Sequence, residues 1–290
     1  MPGKCLGPMT VDFMKPGKSI ERASRHFGAA PRATSSRFCS AAGMAWLGAA
    51  MLIGASESAL SQGVAGTSPA EVCLVANQDL SLGTQLPRTA ARLKSSEPLV
   101  IVATGSSSTV GLWVHRSAAT YPEVMRQELF RLRSSAEIQI INSGRIGDTI
   151  EGNMARFERD VFSYRPDLVV WQLGTNDVAW GGRPDAQLKD RVLQGVRALK
   201  ASGADVILMD LQYAPRVLGS AYYSTMEAII ADVARQERIG LFSRFALMRK
   251  SIDAGVSPGA LVSWDGLHNT ADGYDCIGRA LARMVSKAAP

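Results

Sequence analysis

From about residue 98 onward, short apolar runs alternate with stretches whose apolar residues recur at helical spacing. Leu99-Val100-Ile101-Val102-Ala103, Ile138–Ile141, Leu168-Val169-Val170-Trp171-Gln172-Leu173, Val206-Ile207-Leu208-Met209 and Ile239–Phe242 each read as a buried strand. Helices are predicted between and after them, over 118–133 (Val124, Leu129, Leu132), 149–163, 185–201 (Leu188, Val192, Leu193, Val196, Leu199), 222–238 and 271–287. Strands this uniformly apolar, separated by helices, predict a parallel sheet covered on both faces. In such sheets ligands sit beyond the carboxyl ends of the strands. Residues 57–95 show little periodicity and read as a polar approach segment.

Those strand ends are rich in reactive residue types. Gly105-Ser106-Ser107-Ser108-Thr109 follows the first strand, and Asn142-Ser143-Gly144-Arg145-Ile146-Gly147-Asp148-Thr149 follows the second. Gly174-Thr175-Asn176-Asp177 follows the third, and Asp265-Gly266-Leu267-His268 precedes the last helix. A serine hydroxyl attacks a carbonyl only if a base removes its proton as it does so. The chain has three histidines, His26, His115 and His268. His268 has a carboxylate three residues before it, and Asp265 can hold the second imidazole nitrogen and stabilise the imidazolium. His115 lies in a loop with Trp113 and reads as surface or pocket lining. The bland alternative for His268 is a helix cap.

The four segments resemble, in order, the blocks of the SGNH (GDSL-like) hydrolases, over roughly residues 98–285. Asn-x-Gly-x-x-Gly-x-Thr, Gly-x-Asn-Asp and Asp-x-x-His followed by Gly273-Tyr274 match. The first block departs from Gly-Asp-Ser, because Ser106 stands where the aspartate is expected. Counted from Gly105, the nucleophile falls on Ser107, with Ser106 and Ser108 as lesser candidates. The resemblance implies a three-layer α/β/α sandwich with a flavodoxin-like parallel sheet of about five strands. It also implies a catalytic Ser107, His268 and Asp265 and an oxyanion hole from the N–H groups of Ser107 and Gly144 and the amide of Asn176. A turn glycine and a helix-capping asparagine are the plainer readings of the last two. Arg145, Tyr213 and Trp264 are the candidate substrate contacts; Trp113, Trp180 and Arg216 also lie near the centre in sequence, and loop packing is the alternative for each. The expected activity is hydrolysis of carboxylic esters, an O-acetylated glycan or a short acyl ester, with no metal or organic cofactor. Acyl transfer to a glycan acceptor, lipase or thioesterase action, and a catalytically silent glycan-binding module are the other readings.

Composition adds location. The 290 residues are 46% hydrophobic and 20% charged, which suits one α/β domain plus an extension. Of the formal charge of +6, residues 1–65 supply +4, from Lys4, Lys15, Lys18, Arg22, Arg25, Arg32 and Arg37 against Asp12, Glu21 and Glu57. The basic character therefore belongs to the leader, and nucleic acid is not an expected partner. After Arg37 comes the uncharged Ala/Gly-rich run Phe38–Ser56, and then Ala59-Leu60-Ser61 as a cleavage triplet. Residues 1–65 thus read as an export signal, or as an uncleaved anchor that would be the one membrane contact. The expected division is 1–65 signal, 66–97 approach segment and 98–290 hydrolase domain, exported to the periplasm or medium of a bacterium. Cys5 and Cys39 lie in the leader; Cys73 and Cys276 are either one bridge or two buried thiols. No Cys-x-x-Cys or Gly-x-Gly-x-x-Gly occurs, and Gly17-Lys18-Ser19 lacks the upstream glycine of a phosphate loop. Oligomeric state is not legible at this level.

Overall fold

The Ser68 hydroxyl accepts from the Glu71 N–H while the Glu71 carboxylate accepts from the Ser68 N–H at 2.8 Å, a reciprocal cap that starts the first helix. The computed structural model describes residues 68–180 and 184–290, so the predicted leader with Cys5, His26 and Cys39 lies outside the described residues. Helices α1 (Pro69–Ala76) and α2 (Pro87–Leu93) precede strand β1 (Leu99–Gly105). Helices α3 (Ser107–Val110) and α4 (Tyr121–Leu132) lead to β2 (Ile138–Gly144), and α5 (Ile150–Met154) and α6 (Phe157–Asp160) lead to β3 (Leu168–Gln172). Next come α7 (Thr175–Val178), α8 (Leu188–Ala201), β4 (Asp205–Met209), α9 (Pro215–Leu218), α10 (Tyr223–Glu237) and β5 (Gly240–Phe242). Helices α11 (Arg244–Asp253), α12 (Pro258–Leu261) and α13 (Ala271–Ala288) follow.

The strands form one parallel sheet in the order β2-β1-β3-β4-β5. Alternate side chains of each strand enter opposite layers, as the pleat requires. Ile101, Ala103, Val170, Ile207 and Met209 pack under α1, α4, α11 and α13. Val102, Val169, Trp171, Val206 and Leu208 pack against α5, α6, α8 and α10. The three-layer α/β/α architecture expected from the apolar runs is the one observed. Strand β1 has β2 on one side and β3 on the other, so the chain leaves it in opposite directions and opens a crevice at the carboxyl ends.

Three expectations change. The described part of the approach segment 66–97, from Ser68 on, is built into the domain: Cys73, Leu74, Leu82 and Leu86 are buried in the same apolar layer as β1 and α13. Its few apolar residues are enough because α1 needs to bury only one narrow face, and Cys73 is bonded to Cys276 of α13. The predicted helix 149–163 is broken between α5 and α6. At the break, Arg156 turns inward and its guanidinium donates to the Ser143 carbonyl at 2.8 Å, the Gly105 carbonyl at 3.1 Å and Asp148 Oδ2 at 2.6 Å. Helix α11, unassigned from the sequence, is started by the Ser243 hydroxyl, which accepts from the Ala246 N–H at 3.3 Å. No helix among the described residues is long and apolar enough to cross a membrane.

Candidate active site

Strand β1 delivers Ser107 to the first turn of α3, where backbone N–H groups have no intrahelical acceptor. The loop is tight by construction. A Cβ on Gly105 would lie 2.4 Å from Thr109 Oγ1, and one on Gly144 would lie 2.4 Å from the Val110 backbone nitrogen. Glycine at both positions lets the end of β2 and the start of α3 approach closely. Of the three consecutive serines, Ser106 is turned toward Gln172, its hydroxyl donating to Oε1 at 2.9 Å. The Ser108 hydroxyl is buried with no partner among the described residues. Ser107 Oγ stands 2.8 Å from His268 Nε2.

His268 is presented from a different part of the chain. Residues Val262 and Asn269 form an antiparallel bridge around the loop that carries it, and Thr270 caps α13 immediately afterwards. Its Nδ1 lies 2.5 Å from Asp265 Oδ2, so the proton on Nδ1 leaves Nε2 free to accept from the serine. Asp265 Oδ1 accepts from the N–H groups of Leu267 and His268, each at 3.0 Å, and Oδ2 also accepts from Trp113 Nε1 at 2.8 Å. Burial works to raise the Asp265 pKa, but the hydrogen bonds from His268, the Leu267 and His268 backbones and Trp113 outweigh it and hold the group well below the ordinary carboxylate range.

The expected oxyanion donors differ in state. Asn176 Nδ2 uses one hydrogen on the Asp148 carbonyl at 2.9 Å, while Oδ1 accepts from Trp180 Nε1 at 3.2 Å. That pairing fixes which way the amide faces and leaves its second hydrogen unused by these bonds. The Gly144 N–H, expected to face the substrate, donates to Asn142 Oδ1 at 3.0 Å. As an oxyanion donor it would have to share or exchange that acceptor; its close approach to α3 is the role the geometry supports directly. Asp177, beside Asn176, accepts from the Ile150 N–H at 3.2 Å at the start of α5, which Thr149 caps; burial raises its pKa.

The candidate substrate contacts also separate. Trp264 is 83% exposed and packs its ring against Trp113, with centroids 5.3 Å apart. Arg145 is exposed at the end of β2, and its N–H donates to the Gly105 carbonyl. Tyr213 is half-buried, its ring edge-on to Phe245 at 5.0 Å, so the structure gives it to core packing. Arg216 donates to the Asp265 carbonyl at 2.9 Å and lies 5.1 Å over the Trp180 ring. Two open clefts of about 540 and 630 Å³ flank Trp113 and His115, the second reaching Trp264. The links from Trp113 to Asp265 and from Trp180 to Asn176 escape sequence reasoning. Both tryptophans stand near the motifs in sequence, but nothing in spacing marks an indole N–H as a partner. Among the described residues, no cluster of His, Cys, Asp and Glu is placed to hold a metal ion.

Known proteins place this geometry. The model of the Non-GDSL lipase-like family matches residues 72–290. An arylesterase of Vibrio mimicus is 23% identical over 197 residues, 68% of this chain and 92% of its own. The esterase TesA of Pseudomonas aeruginosa is 32% identical over 109 residues, covering 38% of this chain and 53% of its own. Among solved structures, a two-domain esterase active on acetylated mannans superimposes with a TM-score of 0.60 at 19% identity, over 72% of this chain and 55% of that one. This chain thus spans about half the length of that two-domain protein, and the likeness is one of fold. With a family model that covers most of the chain and the fold it leads one to expect, the chain belongs to the Non-GDSL lipase-like family and is a hydrolase of the SGNH type.

Proposed function

We propose that this ester hydrolase is an exported serine esterase that works through Ser107, His268 and Asp265 and a covalent acyl-enzyme. The observation that carries the reading is the unbroken relay of Ser107 Oγ to His268 Nε2 at 2.8 Å and His268 Nδ1 to Asp265 Oδ2 at 2.5 Å. His268 takes the Ser107 proton as Oγ attacks the ester carbonyl, and Asp265 stabilises the imidazolium that forms. The Ser107 N–H and the second hydrogen of Asn176 Nδ2 are the donors for the developing oxyanion. His268 then protonates the leaving alcohol. In the second half-reaction it deprotonates the water that releases the acid, and the serine regains its proton.

The substrate reading is an O-acetylated glycan or another short acyl ester. Supporting it are the exposed Trp264 beside an open cleft, suited to a sugar face, and a structural neighbour active on acetylated mannans. Export is supported by the basic, then apolar leader and by the Cys73–Cys276 bridge, which belongs in an oxidising compartment. The test is hydrolysis of p-nitrophenyl acetate by wild type and Ser107→Ala. The wild type is expected to turn over the ester and the variant to lose at least about a hundredfold in rate. Equal rates would remove Ser107 from the role.

A further inference from the structure

We propose that Trp113 is a positioning residue of this site: its indole N–H fixes Asp265 in the orientation from which Asp265 holds His268. The proposal rests on the reading of Ser107, His268 and Asp265 as the catalytic set.

Asp265 Oδ2 is shared. It accepts from His268 Nδ1 at 2.5 Å and from Trp113 Nε1 at 2.8 Å, while Oδ1 is occupied by two backbone N–H groups. An indole N–H can only donate. It therefore cannot take a proton from the imidazole, and its effect is to stop the carboxylate from rotating away and to keep it charged. Charge at Asp265 is what the imidazolium requires in both half-reactions.

The backbone is bent to make this bond. Helix α3 ends at Gly111 with φ 84°, and Trp113 itself has φ 72°, in the left-handed region that bulky residues rarely occupy. The Leu112 N–H donates back to the Ser107 carbonyl at 3.1 Å and the Val114 N–H to the Gly111 carbonyl at 3.2 Å. This turn brings an indole that follows the nucleophile closely in sequence onto an aspartate 152 residues further along. Strained backbone of this kind persists where surrounding contacts over-determine it. Here those contacts are the Asp265 bond, the Trp264 ring at 5.3 Å and the edge of His268 at 6.5 Å. The nucleophile loop and the acid–base loop are thereby held to each other.

The experiment uses the full chain with Trp113→Phe, which keeps an aromatic ring and removes the N–H. Loss of one hydrogen bond to a charged group is expected to lower kcat on p-nitrophenyl acetate by roughly ten- to a hundredfold. KM is expected to stay within about twofold, because the bond does not touch substrate. Labelling of Ser107 by a fluorophosphonate, which needs no natural substrate, is expected to slow in parallel. In an Asp265→Ala background the same substitution is expected to cost nothing more, since its acceptor is gone. A raised KM with unchanged kcat, or the same loss with and without Asp265, would assign Trp113 to the substrate wall and overturn the proposal. Undiminished labelling in Ser107→Ala would instead overturn the catalytic reading beneath it, a separate and distinguishable result.

Discussion

Gln172 Oε1 accepts from the Ser106 N–H at 2.8 Å, the Ser106 hydroxyl at 2.9 Å and the Thr109 hydroxyl at 3.2 Å. The serine in place of the usual aspartate thus leaves the nucleophile loop anchored, from β3 instead of from within the loop. All these groups are buried, so removing the acceptor strands donors that water cannot reach. Gln172→Leu is expected to lower the unfolding free energy by about 2–3 kcal/mol, and to cut kcat as Ser107 loses its fixed approach. Urea denaturation read beside steady-state kinetics checks both. An intact rate in a destabilised variant would mean that α3 is held by its glycine contacts alone. Motif order and spacing are enough to pick out Ser107, Asp265 and His268 as candidates, and the structure brings their side chains together. It could not show the supports. Gln172 sits inside an apolar run, and Trp113 meets a partner 152 residues away. At Gly144 the motif points to the N–H, whereas the lack of a side chain is what the packing uses.

Long, strongly patterned elements were legible for a physical reason: β1, β3, α8 and α13 each bury a face whose period is readable without knowing the partner. Elements that depend on a distant partner were not. Helix α1 is short, and its place is set by Cys73 and Leu74 in the layer under α13. The Ser68–Glu71 cap and Pro69 at the first helical position are its local signals. The Cys73–Cys276 bridge joins α1 to α13 across 203 residues of sequence, so its reduction frees a large loop in the unfolded chain. Opening it is expected to cost about 2–4 kcal/mol. For a domain of this size that corresponds to a fall in Tm on the order of 5–15 °C, checked by melting with and without reductant and in Cys73→Ser. The proposed catalytic set, Ser107 at the start of α3 and Asp265 and His268 before α13, does not include either cysteine, so activity below the lowered Tm is expected to survive reduction. An unchanged Tm would mean that the buried face of α1 alone holds the segment.

Across the whole molecule, charge is placed by cost. Surface pairs such as Lys250–Asp79 and Lys189–Asp232 are exposed and contribute little. The expensive group is Arg244, fully buried at the start of α11. It donates to Gln212 Oε1 at 2.7 Å and to the Asp210 carbonyl at 2.8 Å. Around it stand Asp210 at the end of β4, Glu227 on α10 and Arg249 on α11. Burial, reinforced by the Asp210 charge and only partly offset by Arg244 and Arg249, pushes Glu227 up to about 8, and burial also raises Asp210. The folded chain therefore holds a proton on Glu227 more tightly than the unfolded chain does, between its ordinary 4.5 and about 8. Stability from this source is fully present below that interval and is lost as pH rises through it. The lowered carboxylates, Asp265 and Asp160 among them, act in the opposite sense, but only as pH falls below the ordinary carboxylate range. Between pH 5.5 and 8.5 the Tm of wild type is thus expected to decline. Glu227→Gln, which keeps the shape and cannot ionise, is expected to flatten the curve and to exceed wild type at pH 8.5 by a few degrees, on the order of 2–4 °C. Parallel curves for the two proteins would show that water reaches Glu227 freely and that the Arg244 cluster is neutralised by Asp210 alone.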